Sequence, residues 1–283
     1  MKFLAAAVQL KIVERDPDIN RLKVKEAVDE AAGHGACLVV LPETWTAGFG
    51  PSISEPLTFA ERENGDSVNL MSNLARKYRI YLVGGSIPEL DDSNNVYNTV
   101  FFFGPDGEKI GKYRKTYLFS TGENKAFKPG KELPVFETGI GKVSVMTCYD
   151  IRFPELARYY ALNGAEIIAV TSNFTTTINR DFPKPKIHHW SYLLLARAIE
   201  NFLYVLAANC TGDEESNYFG HSLIINPWGE ILDEAKYEER ILYGEIDLNF
   251  VHEVRKRMPV FKSIRLDILN KLGQSSGIIQ KIN

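Results

Sequence analysis

The chain has 283 residues, of which 45% are hydrophobic and 24% are charged, so it can bury a large core without disulfide or metal crosslinks. Its formal net charge is −3 and its lysines and arginines are scattered, so the charge pattern indicates no nucleic-acid partner. The three cysteines are too few, and odd in number, for a disulfide framework, which favours a reducing compartment such as the cytoplasm.

The first predicted element is a strand at the amino-terminal apolar run. Residues 3–8 are apolar, but Gln9, Lys11 and Glu14 follow at once, which favours a buried strand over a secretory signal. Elsewhere, no apolar stretch approaches the roughly 18 residues that a membrane span needs. We therefore expect no membrane partner.

Strands and helices alternate along the chain, which predicts a layered α/β fold. Short apolar runs predict strands at 3–10, 37–41, 80–84, 97–103, 108–113, 142–148, 166–171, 202–208, 221–226, 231–233 and 242–246. Helical spacing of apolar residues predicts helices at 17–33, 68–78, 153–162 and 188–201. Turn residues at 104–107 and 227–229 predict two hairpins. Because no linker divides the halves, we expect one domain over 1–270 and a tail over 271–283.

Several well-known functional motifs are absent. The sequence has no G-x-G-x-x-G after a strand, no G-x-x-x-x-G-K-[ST] and no G-x-S-x-G, so it predicts neither a nucleotide-binding loop nor a serine nucleophile. It also has no C-x-x-C and no H-E-x-x-H. The adjacent His188 and His189 would point in different directions from a helix, so we expect no metal site.

One cysteine stands where α/β folds place their ligands. Cys148 ends the apolar strand 142–148, and Pro154 and Glu155 suit the first turn of the following helix. A helix N-terminus nearby would lower the pKa of the thiol. Cys148 is thus a candidate nucleophile, although on local grounds alone a small buried apolar residue is at least as good an interpretation.

Two charged residues strengthen this hypothesis. Glu43 ends an equally apolar segment, 39–43, where desolvation would raise its pKa toward the range of a general base, unless it caps a helix or forms a salt bridge. Lys115 lies just past the predicted strand 108–113. Taken alone, a lysine within such a basic stretch is typical of a solvated surface.

These segments together resemble the nitrilase superfamily of carbon–nitrogen hydrolases. Each match is short, but the matches occur in the family's order over about residues 3–268, which makes the joint signal specific. The matching segments are Ala7-Val8-Gln9, Leu41-Pro42-Glu43-Thr44, Gly84-Gly85-Ser86-Ile87-Pro88-Glu89, Tyr97-Asn98-Thr99, Tyr113-Arg114-Lys115, Cys148-Tyr149-Asp150-Ile151-Arg152-Phe153-Pro154-Glu155, Ala196-Arg197-Ala198-Ile199-Glu200-Asn201, Gly220-His221-Ser222 and Asn226-Pro227-Trp228-Gly229.

The resemblance implies a fold, an assembly and a site. The fold is a four-layer αββα sandwich that dimerises through a face of helices into an αββα–αββα assembly. The site is a triad of Glu43, Lys115 and Cys148, with a second glutamate, Glu123, in the loop after the lysine. Tyr117 departs from the pattern, because many relatives carry His at that position. This departure puts the packing of the loop, but not the triad, in question.

The resemblance also implies a mechanism without a metal or organic cofactor. Glu43 takes the proton of Cys148, or holds the proton that the thiol has already given up, and the thiolate attacks an amide carbonyl. Lys115 and the backbone N–H of Tyr149 stabilise the oxyanion. Ammonia leaves a thioester behind, and Glu43 activates the water that hydrolyses it. Glu123 positions Lys115 or the substrate.

The expected substrate is a small-molecule amide. The motifs look most like the branch that includes ω-amidases, which cleave the terminal amide of dicarboxylic acid monoamides. An N-carbamoyl amide hydrolase is the alternative, and a nitrilase is less favoured. Asn173 and Phe174 are expected to form pocket walls.

Two cationic segments have open roles. Arg152 is a candidate for binding a substrate carboxylate, but a structural ion pair is favoured. The segment 175–187, with Arg180, Lys184 and Lys186, either supplies a cation to an acidic substrate or is a solvated loop.

Two rival interpretations remain. An assembly protein that kept the fold and lost activity is disfavoured, because that loss normally removes a triad residue and all three are present. A Cys-His hydrolase with His221 as the base is the other rival.

Overall fold

The computed structural model describes residues 1–119, 122–175, 187–212, 218–265, 267–268 and 270–271. In these residues the strands are β1 (Lys2–Lys11), β2 (Ala36–Val40), β3 (Tyr81–Leu90), β4 (Val96–Phe103), β5 (Lys109–Arg114), β6 (Phe136–Thr138), β7 (Gly141–Thr147), β8 (Ile167–Ser172), β9 (Tyr204–Thr211), β10 (Leu223–Ile225), β11 (Ile231–Glu234) and β12 (Arg240–Asp247). The α-helices are α1 (Pro17–Gly33), α2 (Phe49–Ser54), α3 (Pro56–Phe59), α4 (Asp66–Tyr78), α5 (Glu123–Ala126), α6 (Pro154–Leu162), α7 (Ile187–Asn201) and α8 (Leu248–Arg257). Short 3-10 turns lie at Cys148–Arg152 and Val260–Ser263.

The strands form two mixed sheets that are joined at one corner. The first has the order β5-β4-β3-β2-β1-β12, and the second has the order β6-β7-β8-β9-β10-β11. In each sheet the three central strands, β1–β3 and β7–β9, run parallel. The ends of β1 and β9 also pair in parallel, at Leu10 with Cys210 and Lys11 with Thr211. The carboxyl ends of both parallel sets therefore lie at the same edge, where α/β folds bind ligands.

Alternating side chains divide the core into three layers of apolar contacts. Leu38 and Val40 of β2 join Val145 of β7 in the core between the two sheets. Val39 points the other way, into the core that contains buried residues of α1 and α4. Met146 of β7 likewise packs with buried residues of α6 and α7. Since side chains of a strand alternate between faces, the order of layers is helix, sheet, sheet, helix, as in the expected αββα sandwich.

Most predicted elements are present with small shifts in their bounds, but three strands differ. The predicted strand 80–84 continues to Leu90 as β3, because Gly84-Gly85 shifts the register against β4 and does not end the strand. The predicted strand 142–148 ends at Thr147, because Cys148 has a φ of 47°. The predicted strand 221–226 shrinks to β10, because His221 has a φ of 55°.

Five elements are not predicted from the sequence: α2, α3, α5, α8 and β6. Four of these have at most six residues, too few to show an apolar period. Among the described residues, no helix combines the length and apolarity that crossing a bilayer requires. The predicted tail 271–283 lies outside the described residues except for Lys271, so the domain bounds remain a prediction.

Candidate active site

Side chains from four strand ends meet at the shared edge of the two sheets. Glu43 follows β2, Lys115 follows β5, Cys148 follows β7 and Asn173 follows β8. The N–H of Glu43 donates to the carbonyl of Ser172 at 3.2 Å, which ties the two sheets together at this edge. The structure therefore brings together residues that are up to 130 positions apart in sequence.

The turn that carries Glu43 depends on a close approach of the backbone. Gly85 has a φ of 63°, and a Cβ on it would lie 2.1 Å from the carbonyl oxygen of Pro42. That same carbonyl accepts a hydrogen bond from the N–H of Ser86. Only glycine fits this position without a clash, so the bulge in β3 holds Glu43 at the mouth of the inter-sheet space.

The Lys115 ammonium bridges two buried glutamates. It donates to Glu43 Oε1 at 2.9 Å and to Glu123 Oε1 and Oε2 at 2.8 and 2.9 Å. None of the three side chains is exposed to solvent. Burial alone would lower the pKa of Lys115, but the charges of Glu123 and Glu43 outweigh it and hold that pKa well above its usual value. Lys115 is therefore a fixed cation.

Asn98 bridges the same two glutamates, and sequence reasoning assigned it no role. Its amide nitrogen donates to Glu43 Oε1 and to Glu123 Oε1, each at 2.9 Å. Backbone N–H groups complete the shell: that of Asn173 donates to Glu43 Oε2 at 2.8 Å, and that of Phe119 to Glu123 Oε2 at 2.7 Å. Within the largely apolar and aromatic strand β4, the adjacent polar residues Asn98 and Thr99 were the signal that could have drawn attention to Asn98.

Cys148 lies beside this network on a strained turn. Its φ of 47° places it in the left-handed region, which costs a non-glycine residue roughly 1–3 kcal/mol and persists only where the surroundings enforce it. Burial, followed by the charge of Glu43, raises the pKa of the thiol well above its usual value, although Lys115 opposes the shift. The resting thiol is therefore protonated, contrary to the lowered pKa that the helix N-terminus suggested.

A small pocket opens onto Cys148. Its walls are Phe49, Phe119, Cys148, Tyr149, Arg152, Asn173, Phe174 and Thr175. Tyr149, Asn173 and Phe174 were all predicted as site residues, whereas Phe49 and Phe119 were not. Phe49 begins α2, an element without a sequence signal, which explains why it was missed.

In the part of the chain that the structure describes, Arg152 does not form the structural ion pair that the sequence favoured. Within the described residues no carboxylate lies within 4 Å of its guanidinium, which instead faces the rings of Phe174 and Tyr149 at 5.5 and 6.0 Å. The guanidinium thus contributes a positive charge to the pocket wall. The candidate cations Arg180, Lys184 and Lys186 lie outside the described residues.

Tyr117, the departure from the family pattern, packs as a flat stack on Phe153, with ring centroids 3.6 Å apart.

His221 bonds Glu234 through Nδ1 at 3.2 Å and packs against Phe219 and Tyr237. Cys148 is not among these contacts, so the geometry does not support the Cys-His rival.

Comparison with known proteins agrees with this architecture. The profile described as carbon-nitrogen hydrolase matches residues 4–256. A curated relative, omega-amidase NIT2 of Danio rerio, is 40% identical over 277 residues, which cover 94% of this chain and 96% of the relative. The crystal structure of Saccharomyces cerevisiae Nit3, a member of branch 10 of the nitrilase superfamily, superposes with a TM-score of 0.82 at 34% identity, covering 91% of this chain and 94% of that one.

A second solved structure bears on the site. It is a mutant amidase from Nesterenkonia sp. AN1 that shows Michael addition of acrylamide at its active-site cysteine, and it superposes with a TM-score of 0.75 at 27% identity, covering 90% of this chain and 98% of that one. The fold is thus the mixed α/β fold of nitrilase superfamily structures. The chain belongs to the carbon–nitrogen hydrolase family, which confirms the resemblance seen in the sequence.

Proposed function

We propose that the chain is an ω-amidase-like amidase in which Cys148 is the nucleophile, Glu43 the proton shuttle and Lys115 the cation that faces the oxyanion. The observation that carries this proposal is the wholly buried ammonium of Lys115, held between two carboxylates beside the thiol. The named relative is an omega-amidase, and the Nesterenkonia amidase carries its adduct on a cysteine.

The hydrogen bonds favour Glu43 over Glu123 as the base. Both oxygens of Glu123 accept from Lys115, and one of them also accepts the N–H of Phe119. Glu43 gives one oxygen to Lys115, and from the described residues its other oxygen accepts a single N–H, that of Asn173. A carboxylate oxygen has two lone pairs, so this second oxygen of Glu43 can still take a proton.

The reaction follows from these roles. Because the resting thiol is protonated, its proton passes to Glu43 as the sulfur attacks the amide carbon. Lys115 and the N–H of Tyr149 stabilise the negative oxygen of the tetrahedral intermediate. The C–N bond breaks, Glu43 returns the proton to the departing ammonia, and a thioester remains. Glu43 then takes a proton from water, whose oxygen attacks the thioester and releases the acid and the thiol.

Arg152 supports a substrate that carries a carboxylate beyond its amide. Its guanidinium lines the same pocket as Cys148, and no acidic side chain is among the described walls of that pocket. Arginine suits planar carboxylates because its N–H donors match their two oxygens. A monoamide of a short dicarboxylic acid fits this arrangement, with Phe174 and Tyr149 as walls around its aliphatic part.

A screen of ammonia release tests this function. The panel holds a dicarboxylic acid monoamide, the neutral monoamide of equal length, an N-carbamoyl amino acid and an aliphatic nitrile. We expect the dicarboxylic monoamide to react fastest, Cys148→Ala to be inactive but folded, and hydroxylamine to divert the thioester to a hydroxamate. Undiminished turnover by Cys148→Ala would exclude the mechanism, and preference for the carbamoyl compound would exclude the substrate class.

The assembly and compartment belong to the same proposal. The helices α6 and α7 expose Tyr159, Leu162, Tyr192 and Ile199, the kind of apolar surface that a second copy would cover in an αββα–αββα dimer. Light scattering on the purified chain tests this, with Tyr192→Glu expected to shift the dimer toward monomer. All three cysteines are free, in keeping with a reducing, cytoplasmic setting.

A further inference from the structure

A buried carboxylate two residues after Cys148 binds three separate donors. Asp150 Oδ2 accepts from the Tyr113 hydroxyl at 2.7 Å and from the Thr147 N–H at 2.8 Å, while Oδ1 accepts from the Tyr117 N–H at 3.0 Å. The side chain is fully buried. It does not line the pocket that opens onto Cys148, so the proposed reaction assigns it no task.

These three donors belong to the two segments that the proposed chemistry must align. Tyr113 and Tyr117 stand two residues before and two residues after Lys115, and Thr147 immediately precedes Cys148. One carboxylate therefore ties the segment of the cation to the turn of the nucleophile. The turn needs such support, because Cys148 is held in the left-handed region, a conformation that relaxes unless its surroundings enforce it.

We infer that Asp150 is a positioning residue whose ionised carboxylate holds the Cys148 turn against the Lys115 segment. This inference rests on the proposed hydrolysis at Cys148. Among the described residues, every hydrogen-bond partner of the Asp150 side chain is a donor, so the negative form matches all three. A protonated carboxyl would bring a hydrogen into this shell, and among these partners only the Tyr113 hydroxyl can accept it.

The charges around Asp150 identify it as the group of this cluster that titrates near neutral pH. Burial raises its pKa to about 6, although Lys115 and the hydrogen bonds from Tyr113 and the backbone oppose the shift. Burial keeps the pKa of Tyr113 and of Tyr160 well above the usual value, so both stay neutral. Of the described residues, Lys115, Tyr117 and, from α7, Arg197 also bring charged or titratable side chains to this turn, and Arg197 donates to the Ile151 carbonyl at 2.9 Å.

The consequence is a pH dependence that originates outside the reacting groups. As the pH falls through about 6, Asp150 gains a proton and the turn loses part of its support. The thiol is then less well aligned with Lys115, so kcat falls. KM changes little, because Asp150 is not a pocket wall.

Two variants and a matched control test this. Asp150→Asn removes the titration, and Tyr113→Phe removes one donor that keeps the pKa of Asp150 down. The control is Glu166→Gln, since Glu166 is also a buried carboxylate that accepts a backbone N–H, that of Lys142, but lies before β8 at the opposite end of the sheet. The readouts are kcat and KM against pH, and the rate at which iodoacetamide alkylates Cys148, followed on its own peptide by mass spectrometry.

We expect kcat of Asp150→Asn to fall roughly 10- to 100-fold, in line with hydrogen bonds to a charged group, and its acid limb near pH 6 to vanish. In Tyr113→Phe the limb should move to higher pH. The alkylation rate should follow the same pattern, and Glu166→Gln should match the wild type. If Asp150→Asn does not fold, the test rests on whether the acid limb of kcat moves to higher pH in Tyr113→Phe.

The inference is overturned if the acid limb stays in place in Tyr113→Phe, or if Asp150→Asn keeps the kcat and pH profile of Glu166→Gln. Cys148→Ala separates this outcome from failure of the proposed function. If that variant retains turnover, the hydrolysis at Cys148 is wrong. If Cys148→Ala is inactive but the acid limb of the kcat profile is unchanged in Tyr113→Phe and in Asp150→Asn, only the positioning role of Asp150 is wrong.

Discussion

Both carboxylate oxygens of Glu123 accept hydrogen bonds from the Lys115 ammonium, at 2.8 and 2.9 Å, and neither side chain reaches solvent. Glu43 shares the same ammonium through one oxygen only. The asymmetry gives the two glutamates different tasks in the proposed mechanism. Glu123 anchors the cation, and Glu43 keeps an oxygen with which to move protons.

Glu123→Gln should therefore lower kcat by roughly 10²-fold, the scale seen when one preorganised electrostatic contact is removed. Among the described carboxylates, Glu43 alone would then remain paired with Lys115, so their ion pair would tighten and Glu43 would become a weaker base. KM should change little. The control is Glu63→Gln, because Glu63 pairs with Lys109 and Lys112 on the surface. A kcat within about threefold of wild type in Glu123→Gln would contradict the anchoring role.

Asn98→Leu should destabilise the fold as well as slow the reaction. The substitution keeps the approximate shape of the side chain but removes the two N–H donors that bridge Glu43 and Glu123. Each lost hydrogen bond to a buried charge costs roughly 1.5–3 kcal/mol, so we expect the free energy of unfolding to fall by about 3 kcal/mol or more. Urea unfolding measures it, with the exposed Asn69→Leu as the control for the substitution itself. Equal free energies of unfolding for the two variants would show that the Asn98 bridge does not stabilise the fold.

The places of Glu43 and Cys148 in the fold could be predicted from the sequence because both residues lie at strand ends. Cys148 and Glu43 each close an apolar run, and parallel strands bring such ends to one edge. Asn98 could not be found in this way. Its partners, Glu43 and Glu123, are 55 and 25 residues away, and its own strand β4 runs antiparallel to β3. Only the folded register turns its amide toward both glutamates.

Arg152 and Cys148 show a second limit of sequence reasoning, which concerns electrostatic surroundings. A charged residue after a nucleophile is commonly neutralised by a neighbouring acid, so an ion pair was the favoured prediction for Arg152. A helix N-terminus commonly lowers a thiol pKa, yet around Cys148 burial and the charge of Glu43 dominate and raise it. Both errors arise because desolvation depends on packing between distant segments.

Arg152→Gln should discriminate between substrates. If the guanidinium binds the distal carboxylate, its loss raises KM for the dicarboxylic monoamide by roughly 10- to 100-fold, the value of a hydrogen bond to a charged group. KM for the neutral amide of equal length should stay near the wild-type value. The control is Arg62→Gln, since Arg62 pairs with Asp92 on the surface. Equal losses on both amides would assign Arg152 a structural role instead.

Asp150→Asn should change stability and activity with opposite dependences on pH. The pKa of Asp150 is raised from 3.8 to about 6, so the folded chain holds its proton more tightly than the unfolded chain. An acid of this kind contributes stability below its unfolded pKa, and that contribution is lost as the pH rises through the folded value. Between about pH 5 and about pH 7 the wild type should thereby lose on the order of 1.4 kcal/mol of unfolding free energy from this group.

The variant cannot titrate at this position, so its stability relative to wild type should improve by that amount over the same interval, while its kcat remains low. Urea unfolding of both proteins at about pH 5, 6 and 7 measures the difference. A difference between Asp150→Asn and wild type that is constant with pH, or that grows in favour of the wild type, would contradict the raised pKa. The ionised carboxylate of Asp150 lowers the stability of the fold, but it is also the form that aligns Cys148 with Lys115. The proposed site would therefore be most active in the pH range where Asp150 destabilises the fold.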